Sequence, residues 1–112
     1  MKKVEFIIRP EKLDDLIVAC EEFGISGLNI NQISGYGQQK GKTKVYRGVK
    51  YEVKLKQKLK VETVIADDEV DGLIKAVIEV VKTGEVGDGK IFVYDIKEAV
   101  RIRTGESGEK AL

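Results

Sequence analysis

The sequence contains no histidine and only one cysteine in 112 residues. A lone thiol cannot form an internal disulfide, and without histidine the chain lacks the ligands of a zinc or other transition-metal cage, so a metal could bind only through oxygen atoms. The absence of histidine also removes the commonest general base and the usual partner of a nucleophilic serine or cysteine. Hydrolase classes therefore lose most of their support, and we expect a protein that is not an enzyme.

Long apolar runs are also missing, because none approaches the roughly 20 residues that a membrane-spanning helix needs. The sequence opens on a strand pattern rather than an apolar signal core, which predicts a cytoplasmic protein. Its length fits one domain, here predicted as residues 1–112. So small a domain buries little surface and is marginal as a monomer, so we expect an oligomer.

The net charge is only +1, but the charge is segregated along the chain. Between Lys40 and Lys60 there are nine basic residues against the single acid Glu52, so the rest of the chain is acidic. This polarity predicts a basic protrusion on an acidic body. Such a protrusion suits an acidic protein surface, an anionic ligand or nucleic acid, and all three remain open at this point.

Hydrophobic periodicity predicts four strands and two helices. The first helix runs from Pro10 to Gly24, and Cys20 lies on its apolar stripe, where we interpret it as core filling rather than as a redox thiol. The second helix is expected to have Asp67 or Asp68 as its N-cap and to stop at Thr83-Gly84. The predicted strands cover residues 3–8, 28–31, 53–65 and 91–94.

The segment from Gln38 to about Lys50 is polar and basic and shows neither helical nor sheet periodicity, which predicts a long loop of the kind that is usually functional or disordered. Without this loop the order of elements is βαββαβ. It predicts an α+β, ferredoxin-like fold in which two helices cover one face of a four-stranded antiparallel sheet. The opposite face would present a mixture of polar and apolar residues that favours packing between subunits: Ile7, Asn31, Glu62 and Val64.

The segment Gly84 to Lys90 nearly satisfies the phosphate-loop pattern of a glycine, four residues and then Gly-Lys and a hydroxyl residue. Ile91 occupies the hydroxyl position, and a helix precedes the segment where a phosphate loop has a strand, so this is not an NTPase loop. Its three glycines can still free backbone N–H groups to form an anion nest beside Lys90. The alternative is a Schellman helix cap followed by a tight turn, and both interpretations remain open.

Two further segments could bind a ligand or a partner. The alternation in residues 100–103 predicts an extended segment with Arg101 and Arg103 on the same side, roughly 7 Å apart. Two such guanidinium groups can bind a polyphosphate, or they can be a solvated edge that deters aggregation. Residues 46–51 offer two tyrosines and an arginine, which are typical interface anchors, unless this loop is merely solvated.

These segments occur together in one family. Residues 83–93 match the C-terminal signature of the nitrogen-regulatory PII signal-transduction proteins, and residues 101–106 match the characteristic ending of that family. The sequence resembles the family over essentially its whole length. Other matching positions are Gly35, Gly37, Gln39, Lys40, Gly41, Tyr46-Arg47-Gly48, Tyr51 and Ala66-Asp67-Asp68.

The resemblance implies a homotrimer with three ATP or ADP clefts between subunits, each beneath the base of a flexible T-loop (about residues 37–53). The C-terminal segment is residues 96–112. Arg101 and Arg103 would reach into a cleft from the neighbouring subunit. The phosphates would be held by Gly87, Asp88, Gly89 and Lys90. The rest of the cleft would be Ile7 and Val64 at the adenine, Gly35, Gly37, Gln38, and Asn29, which stands where relatives commonly have threonine.

The family also implies that 2-oxoglutarate binds together with Mg-ATP, the metal bridging the phosphates, the keto acid and the Gln39 side chain. This agrees with a metal held only by oxygen ligands. Lys58 would pair with the distal carboxylate. The remaining contacts to 2-oxoglutarate would come from Lys40, Gly41 and the backbone of Gly87.

By resemblance, effector binding where the T-loop begins would reset its conformation and its affinity for partners. The protein would then report nitrogen, carbon and energy status to an ammonium transporter or to nitrogen-assimilation enzymes and regulators. Tyr46, Arg47 and Tyr51 would contact the partner, and Arg47 could plug a transporter pore. Tyr51 is available for uridylylation, whereas Val49 replaces a serine that some relatives phosphorylate. Contact with a membrane is expected only through a transporter, and nucleic acid is not an expected partner.

Two other classes share the predicted fold. An RNA-binding ferredoxin-like module would use the basic run from Lys40 to Lys60, but such modules stack bases on sheet aromatics, whereas the central strands here offer Ile7, Glu62 and Val64. An acylphosphatase-type enzyme would need a nucleophile–base pair or a phosphate cradle, and the first loop contains neither. The regulator is therefore the preferred interpretation.

Overall fold

The computed structural model describes residues 1–36, 43–46, 49–52 and 55–112, with side chains described in 1–36 and 55–112. The helices are α1 (Leu13–Phe23) and α2 (Val70–Val81), and a 3₁₀ turn precedes each of them, Pro10–Lys12 and Asp67–Glu69. The strands are β1 (Lys2–Ile8), β2 (Asn29–Tyr36), β3 (Thr43–Tyr46), β4 (Val49–Glu52), β5 (Leu55–Ile65) and β6 (Lys90–Asp95).

Four of the strands form one antiparallel sheet in the order β2-β5-β1-β6. Each helix connects two strands that are separated in the sheet by a third, which is the ferredoxin-like βαββαβ arrangement. The predicted α+β fold class is therefore confirmed. β2 continues to Tyr36, beyond the predicted strand at 28–31, because it pairs with β5 along its whole length.

Both helices pack on one face of this sheet, since alternate strand residues and one stripe of each helix are apolar. Cys20 is only 1% exposed, and burial raises the pKa of its thiol, which confirms its place in the core. The core consists of Val4, Phe6, Ile8, Leu16, Cys20, Leu59, Val61, Ile65, Val70, Leu73, Val77 and Val81. No helix in the described part of the chain is long and apolar enough to cross a membrane.

The opposite, free face of the sheet is polar as well as apolar, as predicted. Glu5 is only 8% exposed there, and its carboxylate accepts a hydrogen bond of 3.1 Å from the Tyr94 hydroxyl. Lys60 Nζ lies 4.0 Å from the same carboxylate, and Lys3 pairs with Glu62 at 3.6 Å. A buried carboxylate on an otherwise uncovered face is stabilised by these partners rather than by solvent.

The two helix ends contrast in how well they were predicted. α1 ends as expected at Gly24, whose φ of 99° lets its N–H reach the Cys20 carbonyl oxygen at 3.1 Å. The predicted N-caps of the second helix, Asp67 and Asp68, are wrong, because Glu69 holds the N-cap position of α2 and Ala66 that of the preceding 3₁₀ turn, and no side chain caps either one. Asp67 instead accepts from the Met1 ammonium group at 2.7 Å, a charge-assisted hydrogen bond that competes well with a neutral N–H.

The predicted long loop contains a second, two-stranded sheet, so the expectation of no sheet structure from Gln38 to Lys50 is wrong within β3 and β4. These strands pair antiparallel, with Tyr46 opposite Val49 and Lys44 opposite Tyr51. The prediction relied on the apolar alternation that is typical of a strand with one face on a core, whereas β3 and β4 form a sheet separate from the four-stranded one.

Thr63 links β5 to the segment before β2, and it offers a test of the fold. Its hydroxyl donates to the Gly27 carbonyl oxygen at 2.9 Å, and the residue is 9% exposed. Thr63→Val keeps the shape but removes the donor, so we expect a loss of about 1–2 kcal/mol in the free energy of unfolding. Urea denaturation measures this, with Thr63→Ser as a control that retains the hydroxyl. Equal stability of the valine variant and the wild type would contradict the assigned bond.

Candidate functional site

The glycine-rich turn joins α2 to β6 at the end of the sheet where β1 finishes. Lys82, in an extended conformation, caps α2, so a left-handed glycine does not end this helix and the Schellman alternative is wrong. The left-handed φ values fall later, at Gly84 (87°), Gly87 (104°) and Gly89 (101°). The glycines therefore shape the turn itself rather than the helix end.

Asp88 is the internal anchor of this turn. Its carboxylate accepts hydrogen bonds from the backbone N–H groups of Thr83 and Gly84, each at 2.9 Å, and from the Thr83 hydroxyl. Arg9 Nε donates a further bond at 3.2 Å. Together these donors, the Thr83 hydroxyl foremost, hold the pKa of the carboxyl group well below its usual range. Asp88 is ionised, and its carboxylate is already engaged within the protein.

Two cationic side chains flank the same turn. Arg9 Nη2 donates to the Val86 carbonyl oxygen at 2.9 Å, and Lys58 Nζ donates to the carbonyl oxygen of Gly87. Partial burial, followed by the repulsion of Arg9, lowers the pKa of Lys58. The sequence analysis had selected Lys58 but missed Arg9. No local pattern marks Arg9, because its partner Asp88 is 79 residues away along the chain.

The turn rests directly on the end of β1. A Cβ atom added to Gly89 would lie 1.7 Å from the Ile7 carbonyl oxygen, so the two backbones are in close contact. Lys90 follows opposite Ile7 in the sheet. In the part of the chain that the structure describes, the N–H groups of Gly87 and Gly89 donate no hydrogen bond. The anion-nest interpretation, which needs free N–H groups at this turn, stays a prediction.

The structure therefore brings one set of predicted residues together at what we call the turn end of the sheet. Gly35 belongs there too, since it lies opposite Lys56 and an added Cβ would be 3.4 Å from Lys58 Cγ. A cavity of about 370 Å³ lies beside Ile7 and Gly89. The turn-end residues are Ile7, Gly35, Lys58, Gly87, Asp88, Gly89 and Lys90.

A second set lies at the opposite end of the sheet, which we call the distal end. Asn29 is opposite Glu62, and Val64 is opposite Lys3. Val64 lines a cavity of about 290 Å³ together with Leu112. The Leu112 carbonyl oxygen in turn accepts a 2.9 Å hydrogen bond from Arg101 Nη2. The distal-end residues from the sequence analysis are Asn29, Val64, Arg101 and Arg103.

The predicted extended conformation of residues 101–103 is wrong. Val100 pairs with Ser107 in an isolated bridge, and between them the chain makes a tight turn closed by hydrogen bonds of 2.8 Å from Gly105 N–H to the Arg101 carbonyl oxygen and from Arg101 N–H to the Glu106 carbonyl oxygen. The left-handed Gly105, with a φ of 71°, permits this reversal, which the alternation of apolar and basic residues did not reveal.

The two ends are far apart within one chain. Lys58 and Val64 lie on the same strand, six residues or about 20 Å apart. Ile7 and Val64 share the free face of the sheet, as predicted, but Ile7 is opposite Lys60 whereas Val64 is opposite Lys3. Within one copy of the chain the predicted site residues therefore form two separate groups, and Arg101, which contacts Leu112 at the distal end, is not at the glycine turn.

The remaining predicted site residues belong to the basic loop. The backbones of Tyr46 and Tyr51 lie in β3 and β4. The other loop residues of the predicted site lie outside the described residues: Gly37, Gln38, Gln39, Lys40, Gly41 and Arg47.

Comparison with known proteins gives a consistent result. The family model described as Nitrogen regulatory protein P-II matches residues 1–106. Among the similar proteins, Nitrogen regulatory protein P-II of Haemophilus influenzae is 50% identical and that of Pasteurella multocida 48% identical, each over 112 residues and 100% of both chains. Nitrogen regulatory protein P-II 1 of Escherichia coli is 46% identical over the same length.

The chain is thus a ferredoxin-like domain with a glycine turn held between two cations at one end of its sheet. The comparisons identify the family, because the family model matches residues 1–106 and the relatives align over the full length. Both matches include the turn-end and the distal-end residues. The chain belongs to the nitrogen regulatory P-II family of signal-transduction proteins. The resemblance noted in the sequence is confirmed.

Proposed function

We propose that this protein senses nitrogen, carbon and energy status by binding ATP or ADP and 2-oxoglutarate in clefts between the subunits of a homotrimer. Ligand binding would set the conformation of the T-loop and thereby the affinity for a partner. The observation that carries this proposal is the turn end. Within the described residues the N–H groups of Gly87 and Gly89 donate no hydrogen bond, and together with Lys90 and the flanking cations Arg9 and Lys58 they would form an anion-binding surface.

The turn fits a phosphate chain in shape as well as charge. The close contact of Gly89 with the Ile7 carbonyl oxygen leaves no room for a side chain, so the backbone itself faces the ligand. Because the carboxylate of Asp88 is engaged by four donors, we assign to Asp88 a backbone contact with the phosphates and no direct contact through its side chain. Gly87, Gly89 and Lys90 would make the other contacts.

The separation of the turn-end and distal-end residues supports a cleft between copies. Arg101 and Arg103 at the distal end of one subunit would meet the glycine turn of the next, as a head-to-tail contact in a ring requires. Asn29 and Val64 would approach the adenine from the same side as the arginines, while Ile7 and Gly35 would face it from the other subunit. Gly37 and Gln38, at the base of the T-loop, would complete the cleft.

Magnesium and 2-oxoglutarate would bind beside the phosphates. By resemblance to the family, Mg²⁺ would be held chiefly by phosphate oxygens and the Gln39 side chain, which are oxygen ligands of the kind this cation prefers. Lys58 would pair with the distal carboxylate of 2-oxoglutarate, because its partly buried ammonium group gains more from a carboxylate than from the Gly87 carbonyl oxygen. Lys40, Gly41 and the Gly87 backbone would supply the other contacts.

The output surface would be the T-loop, with Tyr46, Arg47 and Tyr51 contacting the partner. An ammonium transporter or a nitrogen-assimilation enzyme or regulator in the cytoplasm fits a basic loop on an acidic body. Tyr51 would also be the site of any uridylylation. The RNA-binding alternative is disfavoured because the two central strands present Glu5 and Glu62 on the free face, where they would repel a phosphate backbone.

We expect ATP and 2-oxoglutarate to bind synergistically when magnesium is present. Their sites share the Gly87 turn, and Lys58 lies beside it, so each ligand should raise the affinity for the other by about tenfold or more. Isothermal titration calorimetry of 2-oxoglutarate with and without Mg-ATP measures this coupling. Equal affinities under the two conditions would contradict the proposed sensor.

Lys58→Gln and Lys56→Gln provide a matched pair for this titration, since both lysines lie on β5 and project to the same face of the sheet. The change at Lys58 should weaken 2-oxoglutarate binding by about tenfold or more because a charged partner is lost, while ATP binding persists. The change at Lys56 should have little effect. If both variants bind 2-oxoglutarate like the wild type, Lys58 is not its partner.

A further inference from the structure

Arg9 adds positive charge beside the proposed phosphate site, but no direct contact with a ligand is assigned to it, and its side chain instead contacts the glycine turn. The residue lies between the end of β1 and Pro10, and the following proline favours the extended backbone that it adopts, with φ of −65° and ψ of 138°. From this fixed position the guanidinium group donates to Asp88 Oδ1 at 3.2 Å and to the Val86 carbonyl oxygen at 2.9 Å. The side chain is 17% exposed.

The contact with Asp88 matters because of where that carboxylate lies. The Asp88 carboxylate accepts hydrogen bonds from the N–H groups of Thr83 and Gly84, and these bonds connect the start of the turn to its end. It also places a negative charge within the segment that would hold phosphates. Arg9 is the cationic partner of this carboxylate, so it offsets a charge that would otherwise repel the ligand.

The contact with Val86 complements that of Lys58 with Gly87, since two cations hold adjacent carbonyl groups of one turn. The two hydrogen bonds would respond differently to ligand binding. Under the proposed function the ammonium group of Lys58 would leave the Gly87 carbonyl oxygen and pair with a carboxylate of 2-oxoglutarate. Arg9, already bound to Asp88, then remains the anchor between the turn and β1.

We propose that Arg9 is a positioning residue for the nucleotide phosphates. It neutralises Asp88 and holds the Val86 carbonyl group, so that the turn presents the N–H groups of Gly87 and Gly89 before any ligand arrives. This assignment rests on the proposed function, because it is the nucleotide that benefits from a turn held in one shape.

The test compares Arg9→Gln, Arg9→Lys and a control, Lys12→Gln, in the full-length protein. Lys12 is a suitable control because it follows in the same segment and its one ion pair among the described residues is with Asp15, at 3.9 Å. Calorimetry measures ATP affinity, and amide hydrogen exchange without ligand measures the protection of the Thr83 and Gly84 N–H groups. We expect Arg9→Gln to bind ATP about tenfold more weakly and to exchange both amides faster, because a charge-assisted bond to Asp88 is lost. Lys12→Gln should match the wild type in both measurements.

Arg9→Lys should recover part of the affinity, because it keeps the charge but lacks the planar fork that reaches Val86 and Asp88 together. The proposal is overturned if Arg9→Gln equals Lys12→Gln in affinity and exchange. If Arg9→Gln does not fold, Arg9→Lys takes its place in the test. The proposal is then overturned if Arg9→Lys has the ATP affinity and the amide exchange rates of the wild type. Wild-type protein that binds no ATP would refute the proposed function instead, while the exchange comparison would still decide whether Arg9 positions the turn.

Discussion

Replacement of Gly89 by alanine is expected to abolish ATP binding. The new Cβ would lie 1.7 Å from the Ile7 carbonyl oxygen and 2.8 Å from its carbonyl carbon, distances that no rotamer change can relieve because both atoms are backbone. The φ of 101° adds strain for any residue with a side chain. The turn would have to move off β1, so ATP affinity should fall by about 100-fold or more, as an ångström-scale misplacement of binding groups commonly costs.

Gly84→Ala is the matched control for this variant. Gly84 also has a left-handed φ, 87°, but an added Cβ would meet nothing within 4 Å. Its cost is therefore only the conformational term, about 1–2 kcal/mol in stability, with ATP affinity largely kept. Calorimetry gives both affinities, and circular dichroism confirms that each variant folds. If a folded Gly89→Ala protein bound ATP as well as Gly84→Ala, the turn would not be the phosphate site.

Arg101→Glu is expected to reduce ATP affinity by about 100-fold or more, although the turn end is left unchanged. In the proposed cleft the guanidinium group of Arg101 meets the phosphates bound by the neighbouring subunit, so reversing its charge replaces attraction by repulsion at a polar contact worth several kcal/mol. Lys97→Glu is a charge-matched control on the same C-terminal segment, and it should bind ATP normally. Calorimetry on both variants checks this, and equal affinities would remove Arg101 from the cleft.

The fold could be predicted largely because its signals are local. In β1 and β5 one face is buried under the helices, so apolar residues recur at every second position and define both strands. Gly24 ends α1 as expected, since a left-handed residue there has few alternatives to glycine. The order of these elements along the chain then leaves the ferredoxin-like sheet as the simplest arrangement.

The predictions that were wrong relied on a local sequence pattern that another interaction or a nearby residue overrode. Asp67 is a good capping residue, but a more distant cation binds it instead. Residues 100–103 alternate like a strand, yet Gly105 allows the chain to turn back within a few residues. The strands β3 and β4 pair with each other in a separate sheet, in a polar, basic segment where the sequence analysis found no strand periodicity.

Much of the candidate site was accessible through its motif, but its arrangement was not. The glycine pattern drew attention to Gly87 and Gly89, whereas the engagement of Asp88 by Thr83, Gly84 and Arg9 depends on three-dimensional contacts. The division of the site between two ends of the sheet likewise follows only from strand register. Ile7 and Val64 share a face, but the register places them opposite different residues of the paired strand.

The measurement that tests the divided cleft most directly is complementation between two defective variants. Lys90→Glu would disable the turn end and Arg101→Glu the distal end, so each variant alone should bind ATP about 100-fold or more weakly than the wild type. After the two are unfolded together and refolded as mixed trimers, about one quarter of the clefts should combine two intact ends, since each cleft draws one end from each of two randomly chosen neighbours. Calorimetry should therefore recover ATP binding at about one quarter of the sites with wild-type affinity. No recovery in trimers shown by mass spectrometry to be mixed would contradict a cleft formed between two copies.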